Sequence, residues 1–446
     1  PVLAALLLPP RAAAAVWQIT KRGIPTATAA IATATIPLGA FINTTPQGLS
    51  YLWFLLLLFL ALPELVTGKR WTHPSILILM AISTLLIHPL TGIPAVLFVA
   101  LMFLWPSDDV RHTVQYIWRS VLFWLIALIG ALALPIAFFA FGEVTWRLQW
   151  SSLSTLLPAT FFSTRFNAVG DLVSWITLNG WIWLLAFAAA AAVILWKMRS
   201  KRWRILPLLA LILAINALVL SMTGDFSFLI DYEQTNYIDR VVYLCLYVLL
   251  PLSILGIGLV AERLISLERP LIRIVSIALL AMAIGANVYA AYPRHDLYTV
   301  SRGFTVAQSD HHTVASIASH AGDEPYIVLA NQTVSAAAIE DNGFLRYYGN
   351  RGDVFYYPVP TGGPLYQIFL RMIEENPTRE LAVEAMNVTG VNRVYFVVNE
   401  YWWSAETAIE RARVQTDEYF IVDDGATWVF IFDRDERTAP RPPSAP

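Results

Sequence analysis

The sequence is poor in charged residues and in cysteine. Only 14% of its 446 residues are Asp, Glu, Lys or Arg, whereas soluble domains carry about 25%. The single cysteine, Cys245, excludes an intrachain disulfide. The chain also lacks a Walker A loop, a strand-linked GxGxxG and a GxSxG, so nucleotide hydrolysis and serine-hydrolase chemistry have no support in the sequence.

Long apolar runs account for this composition. Hydrophobic residues make up 57% of the chain, and its mean hydropathy is +0.58. A helix needs about 18 or more apolar residues to cross a bilayer. The sequence therefore predicts an α-helical polytopic membrane bundle of about nine to ten spans, including a partial opening segment. The other runs lie at about 24–42, 50–66, 74–88, 92–105, 117–142, 178–196, 205–222, 241–261 and 274–292.

The charge balance changes near residue 292. Residues 1–292 hold 18 Lys and Arg against 11 Asp and Glu, whereas residues 293–446 hold 12 Arg, no Lys and 21 acidic residues. Alternating helical and strand patterns in the acidic part predict a small α/β domain with a partly parallel sheet. We therefore divide the chain into a multi-pass transmembrane domain (1–292), an extracytoplasmic α/β domain (293–436) and a disordered, proline-rich tail (437–446).

Positive charge collects in alternate short loops. Lys21 with Arg22, Lys69 with Arg70, and the stretches 197–204 and 262–273 carry most of it. Because cytoplasmic loops are enriched in Lys and Arg, these four loops are predicted to be cytoplasmic. The loop at 223–240 and the C-terminal domain then lie outside, and we expect a bacterial plasma membrane protein.

The stretch "HPLTG" (88–92) interrupts the apolar run 74–105. If both flanks of this run are cytoplasmic, it crosses twice, and each arm spans roughly 21 Å at 1.5 Å per residue. The stretch would then be a tight turn at or just below the outer surface. The alternative is one long helix kinked at Pro89, which would invert everything upstream.

His88 is the main candidate residue of this stretch, because ionisable groups at membrane depth are costly and usually functional. A neutral imidazole there would position a phosphate or a sugar hydroxyl, or transfer a proton. The alternative interpretation is structural: His88 caps the first arm by bonding a carbonyl freed at the Pro89 break.

The outer loop "DYEQTNYIDR" (231–240) supplies further candidates. Asp231 and Glu233 are acidic site candidates with the spacing to share Mg or Mn, which prefer oxygen ligands, and Asp239 is a third acidic candidate. Arg240 opens a spanning helix, where its guanidinium suits a lipid phosphate. Acidic residues in an outer loop are also ordinary solvated polarity, so both interpretations stay open.

Three motifs of the α/β domain have a structural and a functional interpretation. "SDHH" (309–312) is far more typical of a helix start capped by Ser309 or Asp310 than of a metal site. The Thr-Gly-Gly stretch (361–363) is either a plain turn or an anion site before a helix. "YWW" (401–403) either stacks on sugar rings or packs on the membrane part.

The assembled pattern resembles the GT-C superfamily of integral-membrane glycosyltransferases. The matching features are the many spans, the break at His88, Pro89, Thr91 and Gly92, and the late helix that Arg240 opens, with Pro251 and Gly256 inside it. An external α/β domain with "GVNRVYFVV" (390–398) completes the match, which covers nearly the whole chain.

The resemblance implies transfer of a sugar from a polyprenyl-phosphate donor to an envelope glycan or protein acceptor on the outer face. Arg240, with His88 and Thr91, would bind the lipid phosphate, and Asp231 and Glu233 would be secondary site acids. The expected partners are membrane lipid, the polyprenyl-phosphate sugar and the acceptor, and no nucleic acid.

The sequence departs from this family at one important place. GT-C enzymes usually keep a catalytic carboxylate in the first external loop, and "NTTPQGLS" (43–50) contains no acid. The chain begins at Pro1 inside an apolar run, so we expect a fragment whose catalytic carboxylate lies upstream. The alternative functions are a transporter or flippase of the cell envelope and a non-catalytic membrane scaffold with an external partner-binding domain.

Overall fold

The computed structural model describes most of the chain, in two compact units, Pro1–Pro293 and Arg294–Pro446. We refer to them as unit 1 and unit 2 and treat each by itself. The described residues are 2–34, 46–106, 114–141, 144–148, 168, 171–172, 175, 179–197, 200–226, 236–291, 306–343, 356–358 and 363–434.

Unit 1 is built from helices, with one pair of two-residue strands. Strands β1 (Thr145–Trp146) and β2 (Gly224–Asp225) pair antiparallel. The helices are α1 (Val2–Thr20), α2 (Gly23–Ala34), α3 (Pro46–Thr67), α4 (Pro74–Ile87), α5 (Pro89–Leu104), α6 (Val114–Gly130), α7 (Ala133–Phe141), α8 (Gly180–Leu195), α9 (Ile205–Thr223), α10 (Asn236–Ile265) and α11 (Pro270–Ala291).

Several of these helices are long and apolar enough to cross a membrane. Among the described residues, α1, α3, α9 and α10 satisfy length and composition, and the bent pair α6–α7 makes a fifth if it counts as one span. Helices α4, α5, α8 and α11 are apolar but shorter. The predicted α-helical character is confirmed, while the count of nine to ten spans stays a prediction.

Helix α3 lies at the centre of unit 1. Its Leu- and Phe-rich sequence is buried along almost its whole length, including Phe54, Leu58 and Phe59. Helices α8 and α10 approach each other closely, because a Cβ at Gly256 would lie 2.1 Å from the carbonyl oxygen of Phe187. By contrast, α6 and α11 expose large apolar side chains such as Leu128.

The run predicted as one segment at 117–142 is broken into α6 and α7, which meet at an angle of 50°. The amide of Asn216 on α9 is inserted where the helical bond between the Leu134 N–H and the Gly130 carbonyl would be. Leu134 N donates to Asn216 Oδ1 at 2.9 Å, and Asn216 Nδ2 donates to Gly130 O at 2.8 Å. Insertion of a side chain into the helical ladder is an established cause of bends.

A second polar side chain compensates for a proline in α3. Pro63 has no N–H, so the carbonyl of Phe59 loses its helical donor. Arg11 of α1 replaces that donor, with its Nη2 atom 2.8 Å from Phe59 O. In an apolar unit an unsatisfied carbonyl would be costly, so Arg11 has a structural role here.

The predicted cytoplasmic loops lie together at one end of unit 1, which we call the basic end. Arg22 forms an ion pair with Glu262 at 2.9 Å, and the Lys21 ammonium lies 5.0 Å from the ring centroid of Trp71. Ser200 donates to the carbonyl of Leu65 at 2.9 Å. These contacts join the ends of α1, α3 and α10 to the start of α9.

Unit 2 contains a four-stranded sheet with helices on both faces. The strand order is β3 (Ile327–Leu329), β4 (Arg393–Asn399), β6 (Thr427–Asp433), β5 (Glu418–Val422), with β3 parallel to β4 and the other pairs antiparallel. The partly parallel sheet agrees with the sequence. The helices are α12 (Gln308–Ala321), α13 (Gln332–Asn342), α14 (Pro364–Leu370), α15 (Arg379–Thr389) and α16 (Ala405–Gln415).

The strands of unit 2 are joined by charged and aromatic contacts. Arg393 on β4 holds both carboxylate oxygens of Asp433 on β6, and this contact raises the pKa of the Arg393 guanidinium. Burial raises the pKa of Tyr395 to about 12, and His320 Nδ1 lies 2.9 Å from its hydroxyl.

We expect Asn216→Leu to destabilise unit 1, because it leaves the Leu134 N–H and the Gly130 carbonyl buried without their amide partner. Two such groups predict a loss of about 2–4 kcal/mol. Thermal unfolding of the purified protein in detergent measures this loss. Ile215→Leu on the same helix is the matched control and should stay near wild type. An unchanged midpoint for Asn216→Leu would contradict the role of the amide.

A double-mutant cycle tests the contact between Arg11 and the Pro63 break. Arg11→Met removes the donor to Phe59 O and should lower stability by about 1–3 kcal/mol. Pro63→Ala restores a backbone N–H for that carbonyl, so in its background Arg11→Met should cost clearly less. Equal costs in both backgrounds, measured by unfolding in detergent, would contradict this explanation.

Candidate functional site

The chain reverses direction sharply at His88. Pro89 follows, so the backbone of His88 is extended (φ −158°, ψ 118°) and α4 ends there, while Pro89 starts α5. The two helices pack so closely beside the turn that a Cβ at Gly92 would lie 2.0 Å from Leu85 Cα. The structure therefore has the hairpin form of this stretch and not one kinked helix.

The His88 side chain does not cap either helix. Its backbone N–H donates to Thr84 O, and its carbonyl accepts from the Gly92 N–H at 2.9 Å. The imidazole makes no capping hydrogen bond, and its buried Nδ1 atom has no hydrogen-bond partner among the described residues. The capping interpretation therefore fails, and a buried polar atom remains without a partner.

Thr91 is fully buried and holds the hairpin against α3. Its hydroxyl lies 3.1 Å from Ser50 Oγ, which is also fully buried and lies 2.7 Å from Gln47 O. Gln47 in turn donates to the Tyr51 hydroxyl. Thr91, predicted as a substrate-binding candidate, is engaged in this helix–helix contact.

Arg240 lies at the same end of unit 1 as His88. It is half-buried near the start of α10, and its guanidinium lies 5.1 Å from the ring centroid of Tyr237. Tyr247 on the same helix meets Tyr51 of α3 edge-on at 5.2 Å, and the neighbouring Ser50 contacts Thr91 of the hairpin. Two candidates that are about 150 residues apart in sequence are therefore close in the fold. We call this region the His88 end.

Aromatic rings surround the His88 end. Phe226 stacks on Tyr237 with ring centroids 5.7 Å apart, and Phe138 meets both rings edge-on. Tyr51 meets Tyr247 edge-on at 5.2 Å. The His88 end therefore combines the half-buried cation of Arg240, several aromatic rings and the unpartnered Nδ1 atom of His88. These groups suit a ligand that has an anionic group and an apolar tail.

Of the three acidic candidates, the structure describes only Asp239. Asp239 lies in the first turn of α10, next to Arg240. Asp231 and Glu233 lie outside the described residues, so the predicted Mg or Mn site stays a prediction. Within the described part of the chain, no group of three or more His, Cys, Asp or Glu could hold a metal ion.

The motifs of unit 2 are used structurally where they are described. Asp310 accepts from the Ala307 N–H at the start of α12, while His311 and His312 diverge to Asp341 and Asp423. This arrangement has the helix-start form of the "SDHH" motif.

The "YWW" motif packs mainly within unit 2. The Tyr401 hydroxyl accepts from Asn331 at 2.6 Å, and Trp402 meets Phe369 edge-on, whereas Trp403 is 77% exposed. The Thr-Gly-Gly stretch is described only at Gly363, where α14 begins.

No family model matches this chain, and no curated protein sequence is significantly similar to it. Sequence reasoning missed Gln47, Ser50 and Asn216. Asn216 had a signal, since it is the only strongly polar residue in the run 205–220, but its partners are 82–86 residues away in sequence.

The close packing beside His88 predicts a specific intolerance. Gly92→Ala places a methyl group against the backbone of Leu85, and such overpacking costs about 1–3 kcal/mol. Gly285→Ala is the matched control, because nothing lies within 4 Å of a Cβ there and alanine favours the helix by up to about 1 kcal/mol. Unfolding midpoints in detergent should fall for the first variant only, and equal midpoints would contradict the hairpin packing.

Proposed function

We propose that this chain is an integral membrane glycosyltransferase of GT-C type, which transfers a sugar from a polyprenyl-phosphate donor to an envelope glycan or protein. The observation that carries the proposal is the convergence of Arg240 and His88 within an aromatic end of an apolar helical unit. Polyprenyl phosphate combines a phosphate with a long apolar chain, and this end offers a partner for each. The four to five candidate spans support membrane insertion.

The orientation in this proposal follows from the loop charges. The basic end faces the cytoplasm, and the His88 end faces outward. Helix α10 begins near Arg240 and ends near Glu262, which pairs with Arg22 at the basic end. Arg240 and Glu262 are 22 positions apart, which at 1.5 Å per residue is about 33 Å, close to the roughly 30 Å of a bilayer core.

In the proposed reaction an acceptor hydroxyl attacks the anomeric carbon, and the bond between that carbon and the phosphate oxygen breaks. Arg240 stabilises the leaving phosphate, since guanidinium groups bind phosphate oxygens through two parallel hydrogen bonds. His88 offers one further hydrogen bond to a phosphate or sugar oxygen. The hydroxyl proton is lost to a base as the new glycosidic bond forms, and the products are the glycosylated acceptor and polyprenyl phosphate.

A transporter or flippase is the second candidate, and one observation favours it. Discontinuous spans are typical of transporter sites, and α6–α7 is such a span. The break is filled by the amide of Asn216, which bonds the backbone on both sides of it. Because Asn216 satisfies these backbone groups, the break has a structural explanation and does not require a transported ligand. We therefore prefer the glycosyltransferase.

The proposal is tested with polyprenyl phosphate itself, because this product is common to every donor sugar. Binding of radiolabelled polyprenyl phosphate to the full chain in nanodiscs should weaken by about 10- to 100-fold in Arg240→Gln, the loss expected for a hydrogen-bonded charge. The matched control is Arg263→Gln, which removes an exposed arginine from the other end of the same helix. Wild-type affinity in Arg240→Gln would overturn the phosphate role.

A further inference from the structure

A second candidate site for phosphate lies at the basic end, where Trp196 and residues 200–204 lie near the ends of α3 and α8. The guanidinium of Arg204 lies 4.6 Å from the ring centroid of Trp196 and 5.9 Å from that of Trp203. Two indole rings therefore hold one cation in place.

We call Trp196, Arg202, Trp203 and Arg204 the Arg204 cluster. Two hydrogen-bond donors of this cluster are buried without a partner among the described residues. Arg204 Nε and Trp203 Nε1 are inaccessible to solvent, and neither has an acceptor among the described residues. Trp203 itself is only 3% exposed. Buried donors are normally satisfied, so an unpartnered guanidinium N–H and an unpartnered indole N–H on adjacent residues point to an acceptor that carries negative charge.

The neighbouring acid does not supply that acceptor. Glu64 is buried and pairs with Arg202, with 3.4 Å between Oε1 and Nη1. Within the part of the chain that the structure describes, Arg204 forms no ion pair. The cluster therefore neutralises Arg202 internally and leaves the charge of Arg204 available.

The surroundings of Arg204 favour a lipid headgroup as the source of such an anion. Helix α8 ends at Leu195, and its last turn exposes Val193 (72%) and Ile194 (44%) immediately before the exposed Trp196. An apolar exposed helix that ends in tryptophan and then in Lys and Arg has the order of a lipid-facing surface, an interface and a headgroup layer.

We propose that Arg204 and Trp203 bind the phosphate of an anionic phospholipid at the basic end. The guanidinium donates to two phosphate oxygens, and the indole N–H donates to a third acceptor of the same headgroup. This inference depends on membrane insertion, which is part of the proposed function. It is separate from the Arg240 site, which lies at the other end of unit 1.

The test compares lipids retained by the full chain after extraction from vesicles of equal phosphatidylglycerol and phosphatidylcholine. Native mass spectrometry should find the wild type enriched in phosphatidylglycerol. Arg204→Gln should lower that enrichment about tenfold, the effect of losing one charge-assisted contact. Trp203→Phe keeps the ring but removes the N–H, and should lower it less. Arg263→Gln, an exposed arginine at the same end, is the control and should stay near wild type.

Two further arms distinguish the remaining outcomes. Competition by inorganic phosphate identifies the source: no displacement of phosphatidylglycerol supports a lipid site, whereas full displacement at millimolar phosphate overturns it. Wild-type enrichment in both Arg204→Gln and Arg204→Lys also overturns it. Alkaline extraction of the membranes tests membrane insertion by itself, so that a failure of the Arg204 site can be told apart from a failure of the proposed function. A protein that is released contradicts membrane insertion, and one that stays but lacks lipid selectivity contradicts only the Arg204 site.

Discussion

The structure of unit 1 depends on one constraint: backbone polar groups inside an apolar bundle must find partners within the protein. At two interruptions, a side chain from another helix supplies the missing partner. Asn216 replaces the bond lost between α6 and α7, and Arg11 replaces the donor that Pro63 lacks. These two side chains fix the positions of α6, α7, α9, α1 and α3 more specifically than apolar packing does, because hydrogen bonds are directional and apolar contacts are not.

The same constraint explains why the two ends of unit 1 differ. Helix bodies leave no room for unpaired charge, so ionisable groups collect where helices end. At the basic end, chain reversals bring loops together that are up to about 240 residues apart in sequence, as the Arg22–Glu262 pair illustrates. At the His88 end the chain supplies tyrosines, hydroxyls and Arg240 instead. The loops that are rich in Lys and Arg thus gather at one end of unit 1, and these tyrosine and hydroxyl residues gather at the other.

In unit 1, local sequence patterns predicted the helices better than the contacts between them. Apolar runs located the helices to within a few residues, as α9 (Ile205–Thr223) against the predicted 205–222 illustrates. Pro89 with the flanking charges predicted the turn at His88, since a proline leaves a local signal. The break between α6 and α7 had a local signal in Gly130 and Pro135, since Pro135 has no N–H to donate to the Ala131 carbonyl. The Asn216 amide that fills the break comes from another helix, however, and left no local signal. Likewise, Thr91 was predicted to bind substrate, while its contact with Ser50 is visible only in three dimensions.

The arginines of unit 1 illustrate how structure separates a structural charge from an available one. Arg22 and Arg202 are paired with glutamates, and Arg11 is bonded to a backbone carbonyl. Arg204 and Arg240 lie over aromatic rings and have no carboxylate partner among the described residues. An aromatic face holds a guanidinium by its plane and leaves the N–H donors at its edge directed elsewhere. Desolvating such donors without an acceptor would be costly, so an anionic ligand at the two proposed sites would supply what these arginines lack.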